Sequence, residues 1–223
     1  MRLFNYVMKT SLLNRFLLPF LIISTVVVGG FQLYPLLNKP VLDRDKLHAT
    51  VFTTPRIIDP FTLTDHNGTS FTEASFKDNW SFVFFGYTNC PDVCPNTLSI
   101  MNVTANLLGK DEQDRSVPRF IMVSVDPERD TVEQLGQYMP YFNKAFIGLT
   151  GKNKQDVDTL TKQFGIPYFL KKKSAEDIQY GVDHSGAILL VNPHGNLHAL
   201  FSAPHDAKQL ADEFTQIRNV YEY

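Results

Sequence analysis

Two cysteines, Cys90 and Cys94, are the first candidates for chemistry in this chain, and they are the only cysteines among its 223 residues. They bound the segment Cys-Pro-Asp-Val-Cys, directly after an apolar run, residues 81–85, that is typical of a buried strand. Thiols at this spacing can close a disulfide or bind one soft metal ion. Because a disulfide across so short a loop removes little chain entropy, the spacing favours a redox-active or metal-binding pair over a structural bridge.

The helix predicted after the pair also favours reactive sulfur. Side chains four residues apart on a helix share one face, with Cβ atoms about 5–6 Å apart. Pro95 is typical of a first helical turn and Gly109 of a helix end, so Cys94 is expected at the N-terminus of this helix. Backbone amides and the helix dipole at that position favour a thiolate at Cys94.

The pattern of elements around the cysteines predicts the fold. Asn67-Gly68 between two alternating segments predicts a β-hairpin. Strands alternating with helices, closed by a second hairpin and a helix, predict an α/β, thioredoxin-like fold with an N-terminal β-hairpin, preceded by a single transmembrane helix. The predicted strands are 81–85, 119–125, 145–149, 187–191 and 197–201, and the predicted helices are 95–109, 131–139, 153–164 and a final helix capped by Asp206.

A histidine would complete a metal site, because two thiolates alone leave most metal ions short of ligands. His184, one of six histidines, stands just before the predicted strand 187–191. In a thioredoxin-like fold the loop before that strand packs against the cysteine turn. Spacing alone leaves a ligand role and a structural role for His184 equally open. Two thiolates with an imidazole suit Cu(I), and such a set can also bind Cu(II) or zinc.

Two aspartates follow the strand 119–125, whose carboxyl end is expected at the same edge of the sheet as Cys90. Asp126 is interpreted as a residue that supports the site by orienting a ligand or a neighbouring loop. Asp130 directly precedes Thr131 and is interpreted as the cap of the next helix.

The N-terminal part of the chain predicts a membrane anchor. Residues 16–34 carry no charge and would span about 28 Å as a helix, close to the hydrocarbon thickness of a bilayer. The length of the run disfavours a cleaved signal peptide. Arg2, Lys9 and Arg15 precede it, so the C-terminal domain is expected across the membrane from the cytoplasm. The predicted divisions are a cytoplasmic segment 1–15, an anchor 16–37, a linker 38–56 and a domain 57–223.

The net charge disfavours nucleic-acid binding, and the N-terminal segment indicates the cellular compartment. A formal net charge of −2 gives no electrostatic argument for binding nucleic acid. Residues 1–15 are too short for a mitochondrial transit peptide, which favours a bacterial inner membrane, with the domain in the periplasm, over the mitochondrial inner membrane. A disulfide is compatible with that oxidising compartment.

Four segments occur in a characteristic order: Gly86–Pro95, Val125–Thr131, Phe146–Gly151 and Val182–Ser185. Together they resemble the Sco/SenC family of membrane-anchored copper proteins, which assist the assembly of cytochrome c oxidase. The resemblance implies a thioredoxin-like domain in which Cys90, Cys94 and His184 bind one copper ion, as Cu(I) or Cu(II). It also implies delivery of copper to the CuA site of cytochrome c oxidase subunit II, and contacts with other periplasmic copper chaperones or thiol reductases.

Two functions share the same residues and stay open at this point. One is a copper chaperone that uses Cys90, Cys94 and His184. The other is a thiol–disulfide oxidoreductase that reduces cysteines of a partner such as oxidase subunit II, in which Cys90 attacks and Cys94 resolves. A peroxiredoxin is a weaker alternative, because Thr88 stands in the wrong register to Cys90.

Overall fold

The computed structural model describes residues 19–21, 23–30, 41–109, 117–174, 177 and 179–221. The sheet and the site belong to one unit of the chain, residues 43–216. The strands are β1 (Thr50–Ile57), β2 (Thr62–Asp65), β3 (Ser70–Thr72), β4 (Ser81–Gly86), β5 (Arg119–Ser124), β6 (Ile147–Thr150), β7 (Tyr168–Leu170), β8 (Val182–His184), β9 (Ile188–Val191) and β10 (Asn196–Phe201). The helices are α1 (Val93–Leu108), α2 (Val132–Phe142), α3 (Lys154–Phe164) and α4 (Ala207–Tyr221), with short 3-10 helices at Arg44–Lys46 and Glu73–Phe76.

One eight-stranded mixed sheet organises the molecule, in the order β1-β10-β9-β4-β5-β6-β2-β3. Strands β4, β5 and β6 run parallel, and the remaining pairs are antiparallel. Strands β7 and β8 form a separate antiparallel ribbon. The predicted N-terminal hairpin is confirmed as β2 and β3.

Strand β4 is the centre of the core and leads into the cysteine segment. All six of its residues are buried, as expected of a strand whose two faces are both covered. The ring of Phe82 stacks on Phe120 of β5 at 5.1 Å between centroids, and the ring of Phe85 meets Phe164 of α3 edge-on at 5.3 Å. Because Gly86 and Ser124 are register partners in the parallel pair, the loops after β4 and β5 leave the same edge of the sheet.

The structure corrects the predicted linker 38–56 over its C-terminal part. Residues from Thr50 onward form β1, which pairs with β10 at one edge of the sheet. Its register with β10 shifts between Val51 and Arg56, the stretch that contains Pro55. Proline is tolerated at a bulge on an edge strand, where its missing N–H breaks no central ladder. Pro55 was therefore interpreted as part of a linker although it lies in strand β1.

The helix boundaries also differ in detail from the prediction. Helix α1 begins at Val93, not at Pro95, and ends before Gly109 as predicted. Helix α2 extends to Phe142, beyond the predicted end at residue 139. The cap predicted for the last helix is confirmed, since Asp206 Oδ1 accepts a hydrogen bond from the Gln209 N–H at 2.8 Å.

Only part of the predicted membrane anchor falls within the described residues. Residues 19–21 and 23–30 are helical. The described residues contain no helix of the length and apolar character that crossing a bilayer requires. The predicted segment 1–15 and the end of the predicted anchor, 31–37, lie outside the described residues.

Candidate metal centre

The structure brings Cys90, Cys94 and His184 together. One ligand atom from each lies within 4.8 Å of the other two, and the Cys94 Sγ is 3.4 Å from the His184 Nε2. This is the only group of three or more histidine, cysteine or acidic residues with metal-binding spacing in the part of the chain that the structure describes. Two segments far apart in sequence therefore meet at one edge of the main sheet.

The cysteine turn differs from the predicted arrangement on one helix face. Cys94 is buried in the first turn of α1, whereas Cys90 is half-buried in the turn that precedes the helix. The backbone N–H of Cys94 donates a hydrogen bond to the Cys90 Sγ at 3.4 Å. Both thiols are free. The amide at the start of the helix thus acts on the sulfur of Cys90, since that sulfur lies over the helix end.

Burial reverses the expectation of a stabilised thiolate at Cys94. Desolvation raises the pKa of the Cys94 thiol well above its usual value, and the neighbouring Cys90 and Asp130 act in the same direction. A hydrogen bond from the Tyr87 backbone opposes this rise but does not offset it. Burial therefore opposes the thiolate that was predicted for Cys94 at the helix N-terminus.

Gly86 allows the sulfur of Cys94 to lie against the end of β4. A Cβ atom at residue 86 would be 3.0 Å from the Cys94 Sγ and 2.6 Å from the ring of Phe84. Both distances are too short for ordinary contacts. Glycine is therefore required by the close approach of Cys94 to the strand.

His184 is the last residue of β8, and its ring is held in the orientation of a ligand. Its Nδ1 lies 3.0 Å from the Ser185 carbonyl oxygen, so Nδ1 carries the proton and the lone pair of Nε2 faces Cys94. The ring meets those of Phe84 and Tyr87 edge-on, at 5.8 and 5.7 Å between centroids. Burial lowers the pKa of His184 from its ordinary value of 6.5, more than the Ser185 contact raises it. Burial therefore favours the neutral imidazole, the form that can bind a metal ion.

Asp130 does not cap α2, and the structure gives it another role. Thr131 is the cap, because its side chain accepts a hydrogen bond from the Gln134 N–H. Asp130 is fully buried. Its carboxylate accepts hydrogen bonds from the Thr88 N–H at 3.0 Å, the Thr88 hydroxyl at 2.6 Å and the Ser124 hydroxyl at 2.6 Å. Asp130 thereby connects the turn that carries Cys90 to the end of β5. Burial raises the pKa of the Asp130 carboxyl group, and the hydrogen bonds from Ser124 and Thr88 oppose this rise.

Asp126 is also fully buried and supports the segment before His184. Its Oδ1 accepts a hydrogen bond from the Tyr180 hydroxyl at 2.5 Å, and its Oδ2 forms an ion pair with Arg129. Asp126 thus holds the segment that precedes His184, and its role in orienting a ligand stays a prediction. Sequence reasoning missed Tyr180, Arg129 and Thr88, because no motif or spacing marks them as partners of the two aspartates.

The remaining described histidines do not join this group. His66 Nδ1 accepts the Gly148 N–H at 3.0 Å in the hairpin region. His198 meets the ring of Trp80 edge-on at 5.4 Å. His205 Nε2 contacts the Gly186 carbonyl oxygen at 2.7 Å. Each of these rings has a local structural contact.

The donor set of the group fits a soft or borderline metal ion. Two cysteine sulfurs and a neutral imidazole are the ligands that Cu(I), and in mixed sets Cu(II) or zinc, prefer in proteins. The three ligand atoms lie close enough to one another to bind the same ion. The same two free thiols could also close a disulfide, so the geometry is compatible with redox chemistry as well.

Comparisons with known proteins show the family of the chain. A model of the SCO1/SenC family matches residues 50–219. The chain is 32% identical over 195 residues to the protein sco1 of Schizosaccharomyces pombe, covering 86% of this chain and 72% of that protein.

Solved structures share the fold. The copper-bound structure of ScoI from Bradyrhizobium japonicum is 32% identical, with a TM-score of 0.61 over 72% of this chain and 98% of that one. BsSco, described with a disulfide switch as a member of the Sco family of cytochrome c oxidase assembly proteins, is 20% identical, with a TM-score of 0.58 over 78% and 99% of the two chains. The predicted α/β, thioredoxin-like fold is confirmed. This chain belongs to the SCO1/SenC family.

Proposed function

We propose that this protein binds one copper ion through Cys90, Cys94 and His184 and delivers it to the CuA site of cytochrome c oxidase subunit II during oxidase assembly. The observation that carries the proposal is the meeting of two sulfurs and one imidazole nitrogen within 4.8 Å. The copper-bound ScoI structure of a relative and the role of the Sco family in oxidase assembly support it.

Copper is cargo in this proposal, and the placement of its ligands suits transfer. Cys90 is half-buried on a turn, whereas Cys94 is buried beneath it. A ligand of the recipient can approach the copper ion from the side of Cys90 and replace one donor at a time. A loop-borne, partly exposed ligand permits this exchange, while the buried sulfur retains the ion until the new bond has formed.

The proposed location is a bacterial inner membrane, with a single anchor at residues 16–37 and the copper-binding domain in the periplasm. The uncharged run 16–34 and the basic residues before it support this orientation. Other periplasmic copper chaperones or thiol reductases are the proposed partners for loading copper and for keeping Cys90 and Cys94 reduced.

Copper titration of the reduced full-length protein tests the function. We expect one equivalent of Cu(I) or Cu(II) to bind. Cys90→Ser and Cys94→Ser should lose binding, and His184→Ala should lower the affinity and change the Cu(II) absorption spectrum. His194→Ala is a matched control at an exposed turn and should behave as wild type. An unchanged copper affinity and spectrum in His184→Ala would show that His184 is not the third ligand.

Thiol–disulfide exchange is the second candidate, favoured by two free thiols of unequal exposure. The Cys94 N–H hydrogen bond to the Cys90 Sγ supports Cys90 as the attacking thiolate. Cys90 would attack a partner disulfide and release one partner thiolate. The released partner thiolate would then take the proton of the Cys94 thiol as the Cys94 sulfur attacks the mixed disulfide. The second partner sulfur leaves as a thiolate and is protonated by solvent, so that the partner is a dithiol and Cys90–Cys94 is oxidised.

Activity of His184→Ala separates the two functions. Reduction of a disulfide in the CuA domain of subunit II needs only the two cysteines, so it should survive in His184→Ala. Copper delivery to the same domain should fail in this variant. If His184→Ala abolishes both activities, an independent reductase function is excluded.

A further inference from the structure

We infer that Tyr180, fixed by Asp126 and Arg129, positions His184 for metal binding. This inference rests on the proposed function, because it concerns the third ligand of the proposed copper site. The three residues are called the tyrosine clamp below. None of the three is a ligand residue of the candidate metal centre. Their effect on metal binding must therefore act through the segment that carries His184.

The clamp fixes Tyr180 through its side chain and its backbone. The Tyr180 hydroxyl donates to Asp126 Oδ1 at 2.5 Å. The Arg129 Nη1 donates to the Tyr180 carbonyl oxygen at 2.9 Å, and its guanidinium lies 3.6 Å from the centre of the Tyr180 ring. Arg129 also pairs with Asp126 Oδ2. One arginine and one carboxylate therefore hold the tyrosine at three points.

Burial makes these contacts expensive to break. Asp126 is 0% exposed and Tyr180 is 6% exposed. A buried carboxylate that loses a hydrogen-bond donor is left with an unsatisfied oxygen, and this cost favours the clamped conformation. The ion pair between Lys172 and Glu128 lies at the same place, with the Lys172 ammonium 4.8 Å from the centre of the Tyr180 ring.

A short chain of contacts leads from the clamp to the ligand. Tyr180 stands two residues before Val182, the first residue of β8. The Val182 N–H donates to the Tyr87 hydroxyl at 3.3 Å, and the ring of Tyr87 meets the ring of His184 edge-on. Tyr87 also belongs to the cysteine turn, because its carbonyl oxygen accepts the Cys90 N–H at 3.3 Å.

The segment that carries His184 needs such external support. Strand β8 has three residues and pairs with the three residues of β7 in a two-stranded ribbon. An isolated ribbon of this size is marginally stable in water. The orientation of His184 therefore depends on contacts made outside the ribbon. The tyrosine clamp supplies the contacts next to the N-terminal end of β8.

Tyr180→Phe tests the inference, since it removes one hydroxyl and keeps the ring. Residues that support a metal ligand typically contribute about 10-fold to 100-fold to metal affinity, so we expect a loss of Cu(II) affinity in that range. We also expect a changed nitrogen contribution in the electron paramagnetic resonance spectrum of the Cu(II) protein. Arg129→Lys keeps the charge but loses the planar contact, and should shift both readouts in the same direction.

Tyr168→Phe is the matched control. Tyr168 lies on β7 opposite His184, but its hydroxyl donates to Asp158 of α3 at 2.6 Å instead of to the clamp. Each variant loses one tyrosine hydroxyl, from β7 in Tyr168→Phe and from the segment just before β8 in Tyr180→Phe. Tyr168→Phe should leave the Cu(II) spectrum unchanged, even if it lowers the thermal stability as much as Tyr180→Phe does.

A double-mutant cycle with His184→Ala shows whether the clamp acts through the histidine. In the His184→Ala background, Tyr180→Phe should cause no further loss of Cu(II) affinity. An equal loss in both backgrounds, or a wild-type spectrum and affinity in Tyr180→Phe, would overturn the inference while leaving the proposed function intact. If His184→Ala alone has no effect on copper binding, both the proposed function and this inference fail.

Discussion

The two halves of the candidate metal centre are built differently. The cysteine half, residues 86–94, follows β4, whose residues are all buried in the interior of the eight-stranded sheet. The histidine half, residues 180–184, ends in β8 of a two-stranded ribbon, and Phe169 on the partner strand is 69% exposed. Packing of the core fixes the sulfur of Cys94, whereas side-chain contacts at the rim fix the imidazole.

This difference indicates which donor can yield first during copper transfer. Displacing Cys94 requires disruption of the packing around β4, which involves the whole domain. Displacing His184 requires the loss of its ring contacts with Phe84 and Tyr87 and opening of the two-stranded ribbon. Elements with few buried contacts open at lower free energy than core strands. In the proposed function, Cys94 therefore retains the ion, while the half-buried Cys90 and His184 exchange with the recipient first.

The largest expected effect concerns the core beneath the cysteine half. Phe85→Ala should lower the free energy of unfolding by about 3–5 kcal/mol, because it leaves a cavity beside Phe164. Phe169→Ala, at the exposed position on β7, should change it by less than about 0.5 kcal/mol. Urea denaturation of both variants measures the contrast. Equal losses would show that the ribbon is as well packed as the sheet.

The next effect concerns the tie between the cysteine turn and β5. Asp130→Ala removes the acceptor of three hydrogen bonds from Thr88 and Ser124. Buried donors left without partners typically cost about 1–3 kcal/mol, and we expect a loss of unfolding free energy in this range. Asp212→Ala, which breaks an exposed pair with Lys208, is the control and should cost less than about 1 kcal/mol. If Asp130→Ala lowers the free energy of unfolding no more than the control does, the hydrogen bonds of Asp130 do not stabilise the cysteine half.

Hydrogen exchange compares the two halves without mutation. Amides of β4 should exchange only on global unfolding, while amides of β8 should exchange at least about ten times faster, through local opening of the ribbon. Mass spectrometry of the metal-free protein resolves peptides from both regions. Identical protection of β4 and β8 would contradict the proposed order of ligand release.

The smallest effect is a dependence of stability on pH. Burial lowers the folded-state pKa of both His184 and His198 below the ordinary value of 6.5, so the unfolded chain binds protons more readily than the folded one. The contribution of the two histidines to the unfolding free energy should be greatest above pH 6.5. It should be lost as the pH falls from 6.5 through their folded-state pKa values. Denaturation of His184→Gln and His198→Gln across this range measures the share of each histidine. A slope that neither variant reduces would assign the dependence to other groups.

The sequence predicted the cysteine half better than the histidine half, for physical reasons. A continuous apolar run marks β4, and the close spacing of Cys90 and Cys94 is local, so both could be identified from neighbouring residues. Strands of three residues, as in β7 and β8, are too short to show a period. The placement of His184 beside the sulfurs was expected from the predicted fold and the family resemblance, since its spacing alone left a structural role equally open.

The two aspartates illustrate what local patterns cannot decide. Asp130 precedes a helix and satisfies the rule for a cap, yet the hydroxyl of Thr131 takes that role and the carboxylate binds Thr88, 42 residues earlier in the chain. Asp126 was associated with the site through the common edge of parallel strands, which is a property of topology. Its partner Tyr180 lies 54 residues later, and only the folded chain brings them together.

The glycine at residue 86 limits how this centre could be redesigned. With no side chain between the strand backbone and the sulfur of Cys94, the sheet itself sets the height of that donor atom. Alanine at this position would press on both the sulfur and an aromatic ring, so residue 86 offers no room for a side chain beside this donor. Engineering the site for another metal would have to change the imidazole side or the preceding turn.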